Sequence, residues 1–326
     1  MLPGPDAFAP ASDRMKYNKM EIDMNQDFYN ALTDILAEER VLTDEPMKNH
    51  TTFRVGGTAD YYTIPRTKEE IKETVRICRE WAVPFYIIGN GSNLLVSDKG
   101  YRGVMIQICK GMNEIRIEGH TLTAQAGALL SAIAGRALEA ALTGFEFAAG
   151  IPGTLGGACV MNAGAYGGEM KDVLRYVTVL TEDGEFLTLG QDELELGYRT
   201  SIIARRGYIA LEAVIELEED SREQIKARMD ELKERRVTKQ PLEYPSAGST
   251  FKRPEGYFAG KLIEEAGLRG YSVGDAQVSE KHCGFVINKG NATASDIMAL
   301  ITEVADRVER RFGVRMEPEV KRVGEF

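Results

Sequence analysis

From Phe147 to Gly168 the chain runs 22 residues without a charged side chain, although charged residues make up 28% of the whole. A helix that crosses a bilayer needs a run of ~20 residues, so the length alone would fit. The composition does not: seven of the 22 are glycine, Pro152 and Asn162 interrupt the run, and Leu and Ile are almost absent. Glycine at this density specifies tight turns and close approach of the backbone to a neighbour. The missing charge needs a cause other than lipid, and a ligand held by main-chain amides is one.

A second glycine loop, Gly89-Asn-Gly-Ser-Asn93, follows the apolar run Phe85–Ile88 and also lacks a basic residue. It holds the chain's one G-x-G, and the third position of a G-x-G-x-x-G would be Leu94. No G-x-x-x-x-G-K-[ST] occurs either. Doubly wound nicotinamide enzymes and P-loop hydrolases are therefore disfavoured. Within the uncharged run, Gly150-Ile-Pro-Gly-Thr-Leu-Gly-Gly157 has a fixed φ at Pro152 and an open backbone at Gly153, Gly156 and Gly157. Two such turns can hold the two phosphates of a diphosphate by amide dipoles. Either one alone reads equally well as an ordinary turn. Both together, with Asn162-Ala-Gly-Ala-Tyr-Gly-Gly168 just beyond, point to a large ligand.

Lys plus Arg number 40 and Asp plus Glu 50, a formal charge of −10. Such a chain is a poor nucleic-acid binder, so an anionic ligand requires a local basic island. Four cysteines without a C-x-x-C, and three histidines, exclude a zinc site of the usual spacing; no metal is expected. Sparse thiols fit a reducing cytoplasm. Residues 1–24 contain no apolar signal core and read as a disordered tail.

The length predicts two or three domains. Helices are expected over Asp27–Glu39, from the Thr67 cap through Trp81, over Leu129–Leu142, from the Ser221 cap to about Arg236, and over Thr293–Phe312. Strands are expected at Phe85–Ile88, Val104–Ile108, Ile115–Ile117, Leu122–Ala124, Val173–Thr181, Glu185–Leu189, Tyr208–Leu217 and Cys283–Ile287. A β-rich middle with helices before and after gives an α+β fold.

Six ordered segments then narrow the reading. These are Asn49-His-Thr-Thr-Phe-Arg-Val-Gly-Gly57, Gly89–Asn93, Gly150-Ile-Pro-Gly153, Tyr198-Arg-Thr-Ser201, Ala247-Gly-Ser-Thr-Phe-Lys-Arg-Pro254 and Pro318-Glu-Val320. From about residue 27 onward the chain resembles the UDP-N-acetylenolpyruvoylglucosamine reductases, flavoenzymes of bacterial cell-wall synthesis. The resemblance implies the FAD-binding fold of the vanillyl-alcohol-oxidase (PCMH-type) superfamily. FAD-binding subdomain 1 would span 25–88, with 320–326 returning to it. Subdomain 2 would span 89–219, and a C-terminal α+β substrate-binding domain 220–319. It also implies NADPH as reductant and UDP-N-acetylglucosamine enolpyruvate as substrate, with no nucleic-acid or membrane partner. A monomer in the cytoplasm is expected.

The resemblance assigns Arg199, Ser249 and Glu319 as catalytic. The reaction adds hydride to the β-carbon of an unsaturated carboxylate and a proton to its α-carbon. Arg199 suits the carboxylate, because a guanidinium fork recognises it bidentately and stays charged. Glu319 would be a carboxyl of raised pKa beside it, and Ser249 the proton donor. Glu317, two residues from Glu319, is separated from it only by the Pro318-Glu-Val320 pattern. FAD would be bound by Arg54, by Gly89, Asn90, Gly91, Ser92 and Asn93, by Gly150, Ile151, Pro152, Gly153, Thr154, Gly156 and Gly157, and by Ala163 and Gly164. Lys239, Arg253, Lys261 and Gln277 would bind substrate. Arg199 and Ser249 lie 50 residues apart, as in the shorter subtype without an inserted tyrosine loop. Tyr166 and Tyr244 are candidates for the residue that closes over the diphosphate. His50 reads as structural. Two rival readings remain: an FAD-linked oxidase or dehydrogenase of the same superfamily acting on an alcohol or hydroxy acid, and a sugar-nucleotide binder without flavin.

Overall fold

The structure is a computed structural model that describes residues 25–326; the expected tail over 1–24 lies outside the described residues. Helix α1, over 25–33, buries Phe28 and Leu32. It stops short of the expected Glu39, because Glu38–Arg40 form a 3-10 turn. That turn lets Arg40 grip Glu70 through two nitrogens, at 2.6 and 3.0 Å. The chain continues through β1 (Val41–Pro46), β2 (Thr58–Thr63), α2 (Lys68–Glu80), β3 (Phe85–Ile88), β4 (Leu94–Val96) and β5 (Tyr101–Gln107). Thr67 caps α2 by accepting from the Glu70 N–H, and Ile71, Val75 and Cys78 face the core as their spacing predicts.

The first sheet has the order β1-β2-β5-β3. It corrects the expected boundary at residue 89, since β5 is an inner strand lying parallel to both β2 and β3. A parallel partner arrives by a crossover, and no periodicity in residues 101–107 announces which sheet receives it.

The second unit holds β6 (Ile115–Glu118), β7 (Thr121–Gln125), α3 (Leu130–Glu139), β8 (Leu142–Thr143), α4 (Leu155–Met161), β9 (Gly164–Ala165), β10 (Gly168–Glu169), β11 (Leu174–Leu180), β12 (Phe186–Gly190), α5 (Ile202–Arg205), β13 (Ile209–Glu216) and β14 (Glu218–Glu219). Five strands make an antiparallel sheet, β12-β11-β13-β7-β6. Ile133 of α3 and Leu155 of α4 share one core with Leu122, Val177 and Ile215 of the sheet. The uncharged run is partly helical: Gly156 and Gly157 lie inside α4 rather than in an open loop. A Cβ at Gly156 would stand 2.9 Å from that of Ala126, so glycine is required there for close packing against the segment after β7.

The third unit comprises α6 (Arg222–Lys239), β15 (Ser246–Ser249), α7 (Ala259–Glu265), β16 (Ser272–Val273), β17 (Ala276–Val278), β18 (Phe285–Asn288) and α8 (Ala294–Phe312). Its antiparallel sheet runs β15-β18-β17-β16. Ile297, Leu300, Ile301, Val304 and Val308 of α8 belong to the core that covers it. Helix α6 ends at Lys239, about one turn later than expected, because Pro241 follows; the residue before a proline favours extended backbone, and Gln240 has ψ 147°.

Three ties join this unit to the first. Asp98 accepts from Ala294 N, Ser295 N and Ser295 Oγ at the start of α8, at 2.8, 2.8 and 2.6 Å. Asn288 Nδ2 donates to the Phe53 carbonyl at 3.1 Å. Finally β19 (Lys321–Val323) pairs in parallel with β4. All four thiols are free, and burial raises their pKa, to about 12 for Cys78 and Cys159.

Candidate active site

The two glycine turns meet. Asn90 Nδ2 donates to the Pro152 carbonyl at 2.8 Å, and a Cβ at Gly89 would strike Thr154 Oγ1 at 2.3 Å. Gly91 has φ +62°, and a Cβ there would sit 1.9 Å from the His50 carbonyl oxygen. That position admits glycine alone. Among the described residues, the backbone N–H groups of 89–93, and those of Gly150, Gly153 and Thr154, donate to no main-chain acceptor. Free amides in two touching turns are the raw material of an anion cradle. Ser92, Asn93, Gly150, Ile151 and Pro152 open onto a cleft of about 680 Å³, as do Ala163 and Gly164.

At one end of that cleft stand Arg199, Ser249 and Glu319. Arg199 occupies a two-residue turn closed by the mutual Gly197–Thr200 backbone hydrogen bonds, and its φ is +56°. Left-handed backbone at a non-glycine residue costs roughly 1–3 kcal/mol and is held only where surroundings enforce it. Here the fully buried Asn162 does so, donating to the Gly197 carbonyl at 3.1 Å and to Glu169 at 2.7 Å. The Arg199 Nε then donates to Glu319 Oε1 at 2.8 Å. Its two Nη groups have no hydrogen-bond acceptor among the described residues, leaving the outer fork open. Burial pushes the Glu319 carboxyl above its usual range, while Arg199 pulls against that rise. Ser249 ends β15 and is exposed to the cleft, next to Gly248 at φ +76°. Glu317 turns away and pairs with Lys252 at 3.1 Å.

A second cleft, of about 710 Å³, meets the first at six residues: Gly164, Ala165, Tyr166, Arg199, Ser249 and Glu319. Arg253 and Lys261 line it, the former with its guanidinium 4.2 Å from the Phe258 ring centroid. Arg269, Lys281 and His282 line it too, although no sequence pattern singled them out. The basic island is thus assembled from α7, the segments on either side of it and the β17–β18 loop, regions whose lysines and arginines look solvated when read along the chain.

Several expected residues lie elsewhere. Arg54 is exposed and lines neither cleft. Its N–H closes a tight turn on the Thr51 carbonyl, which sends Phe53 and Val55 inward and Arg54 out. Gly156 belongs to packing, as described, and its N–H is taken by the Ala126 carbonyl. Gln277 spends its amide on the Gly270 carbonyl at 3.1 Å, within the sheet. Lys239 lines neither cleft; with burial as the larger cause, it helps hold the His282 imidazole below its usual range. Tyr166 lines both clefts, whereas the Tyr244 ring lies under Lys289 and lines neither. His50 is structural, stacked on Tyr62 and bonded to Glu45 at 2.7 Å. Sequence reasoning missed Arg236, which lines the first cleft from α6.

Residues 59–190 match the family described as FAD binding domain. The fold and that match define the class: an FAD-dependent oxidoreductase with an α+β FAD-binding fold. Residues 240–323 match the C-terminal domain of UDP-N-acetylenolpyruvoylglucosamine reductase. A relative of that name from Agathobacter rectalis is 57% identical, covering 93% of this chain and 100% of its own. Another, from Clostridioides difficile, is 55% identical over 92% of this chain and 99% of its own. The crystal structure of the Thermus caldophilus enzyme, 37% identical, superposes with a TM-score of 0.74 over 87% of this chain and 98% of that one. The chain belongs to the UDP-N-acetylenolpyruvoylglucosamine reductase family.

Proposed function

We propose that this protein reduces UDP-N-acetylglucosamine enolpyruvate to UDP-N-acetylmuramate for peptidoglycan precursors, with NADPH as the reductant. The observation that carries this is the meeting of an amide-lined cleft and a basic cleft at Arg199, Ser249 and Glu319. The residues fit FAD: the N–H groups of 89–93, Gly150, Gly153 and Thr154 have no main-chain acceptor, and Ser92, Asn93 and Gly150 open onto the cleft. Bound there, FAD would supply two-electron hydride chemistry between the nicotinamide and the β-carbon.

The chain's own residues do the rest. The open fork of Arg199 grips the substrate carboxylate and stabilises the negative charge that develops on it as hydride arrives. Glu319 holds that guanidinium by Nε and adds a carboxyl whose burial favours the protonated form. Ser249 gives its hydroxyl proton to the α-carbon and is reprotonated from solvent through the cleft, so one hydride and one proton saturate the double bond. Arg253 and Lys261 face the anionic nucleotide. One cleft serving NADPH and then the UDP-sugar gives ping-pong kinetics.

Stopped-flow measurement of the two half-reactions tests this. Ser249→Ala should reduce its flavin with NADPH at close to the normal rate, and turn over the UDP-sugar at least about a hundredfold more slowly. Equal loss in both halves would remove Ser249 from the proton transfer. A protein oxidising alcohols while ignoring the UDP-sugar would overturn the assignment of substrate.

A further inference from the structure

The first cleft offers free backbone amides, which are dipoles, whereas the flavin nucleotide proposed for it carries full negative charge. Three carboxylates line the same cleft, each with its own cation: Glu146 with Arg228 at 3.1 Å, Asp230 with Lys226 at 2.6 Å, and Glu319 with Arg199 at 2.8 Å. Arg236 also lines it and has no ion pair among the described residues. This is not a solvated surface arginine. Its guanidinium lies against the backbone of the second glycine turn, so that a Cβ at Gly150 would stand 2.7 Å from its Nε and 3.2 Å from its Cζ. On another side it rests 5.8 Å from the Tyr166 ring centroid, at the junction of the two clefts. Burial is the largest influence on its ionisation and lowers its pKa, and the Tyr166 hydroxyl, a neutral partner, offsets only part of that.

A partly desolvated arginine with no carboxylate is costly unless an anion completes it. Lys233 lines the cleft as well, but is exposed and keeps its hydration. Gly150 matters for a second reason here: any side chain at that position would push the guanidinium off the turn that supplies the amides.

We infer that Arg236 is a cofactor-binding residue, the full positive charge set beside the amide cradle to neutralise the negative charge of the bound flavin nucleotide. The inference rests on the first cleft being the FAD site. The shared chemistry is an anion against a guanidinium, and it has two sources, the diphosphate or the electron-rich end of the reduced ring.

Apo-protein is titrated with FAD by fluorescence quenching across a salt series, for wild type, Arg236→Gln and Arg236→Lys, and the midpoint potential of each holoprotein is measured. Apo melting curves report whether each variant is folded. Arg236→Gln should bind FAD about ten- to a hundredfold more weakly with a shallower salt dependence, and Arg236→Lys should restore part of both. An unchanged potential assigns the charge to the diphosphate; a lowered one assigns it to the reduced ring. Folded Arg236→Gln with wild-type affinity, salt slope and potential would overturn the inference. Failure of the wild type itself to take up FAD would instead overturn the flavin reading of the cleft.

Discussion

At Glu319 two forces oppose each other across 2.8 Å, and burial outweighs the pull of Arg199. The native protein therefore binds the Glu319 proton more tightly than the unfolded chain does. More protons on the folded state means stability that declines as pH rises from about 4.5 through the raised value. Glu319→Gln removes that titration. In urea melts taken from pH 4.5 upward, the wild type should lose stability relative to Glu319→Gln. A relative gain would mean that the Arg199 pair dominates and the carboxyl is an ordinary anion. Arg199→Lys is not a conservative change here, because a lysine cannot bond Glu319 through one nitrogen and still present a two-pronged face to substrate. It should lose about a hundredfold or more in kcat for the UDP-sugar, while its flavin is still reduced by NADPH.

Among the elements, α8 shows how one carboxylate can set the position of a whole unit. Thr293 and Asp296 form a capping box at its start, yet Asp98 adds three further bonds from 196 residues away. Burial disfavours the Asp98 charge, but the bonds from Ser295 and Ala294 win and hold its pKa below the usual range. Asp98→Ala should cost about 1–2 kcal/mol in equilibrium unfolding, and a loss within a few tenths would show the cap to be redundant. α2 and α8 were legible because caps and apolar spacing are local signals, and the two glycine turns because few other contexts tolerate that composition. That Arg199, Ser249 and Glu319 would meet was legible only through their surrounding motifs, since Arg199 in isolation looks like any surface arginine. What escaped was non-local: the crossover that carries β5 into the first sheet, and the face of α6. Its sequence is charged all round, and only Ile225 is buried, so nothing in Arg235-Arg-Val-Thr-Lys239 says which arginine turns inward. The same blindness drew Lys239 and Gln277 toward a cleft that they do not line.

Over the whole molecule, the first cleft takes walls from every unit: Asn93 from the first, Gly150–Pro152 and Ala163 from the second, Ser246–Ser249 and α6 from the third. Cofactor binding should thus tighten the chain as one body. FAD at a hundredfold over its Kd adds about 2.7 kcal/mol of stability. Hydrogen exchange should slow at 246–249 and along α6 as well as at 89–93. Protection confined to residues 59–190 would show that the third unit does not close the site. The thiols bear on a different hazard. A reduced flavin that meets dioxygen sheds its electrons as hydrogen peroxide, and peroxide attacks thiolates. Burial raises the pKa of every sulfhydryl, Cys283 beside the second cleft included, so little thiolate is present for that by-product to attack.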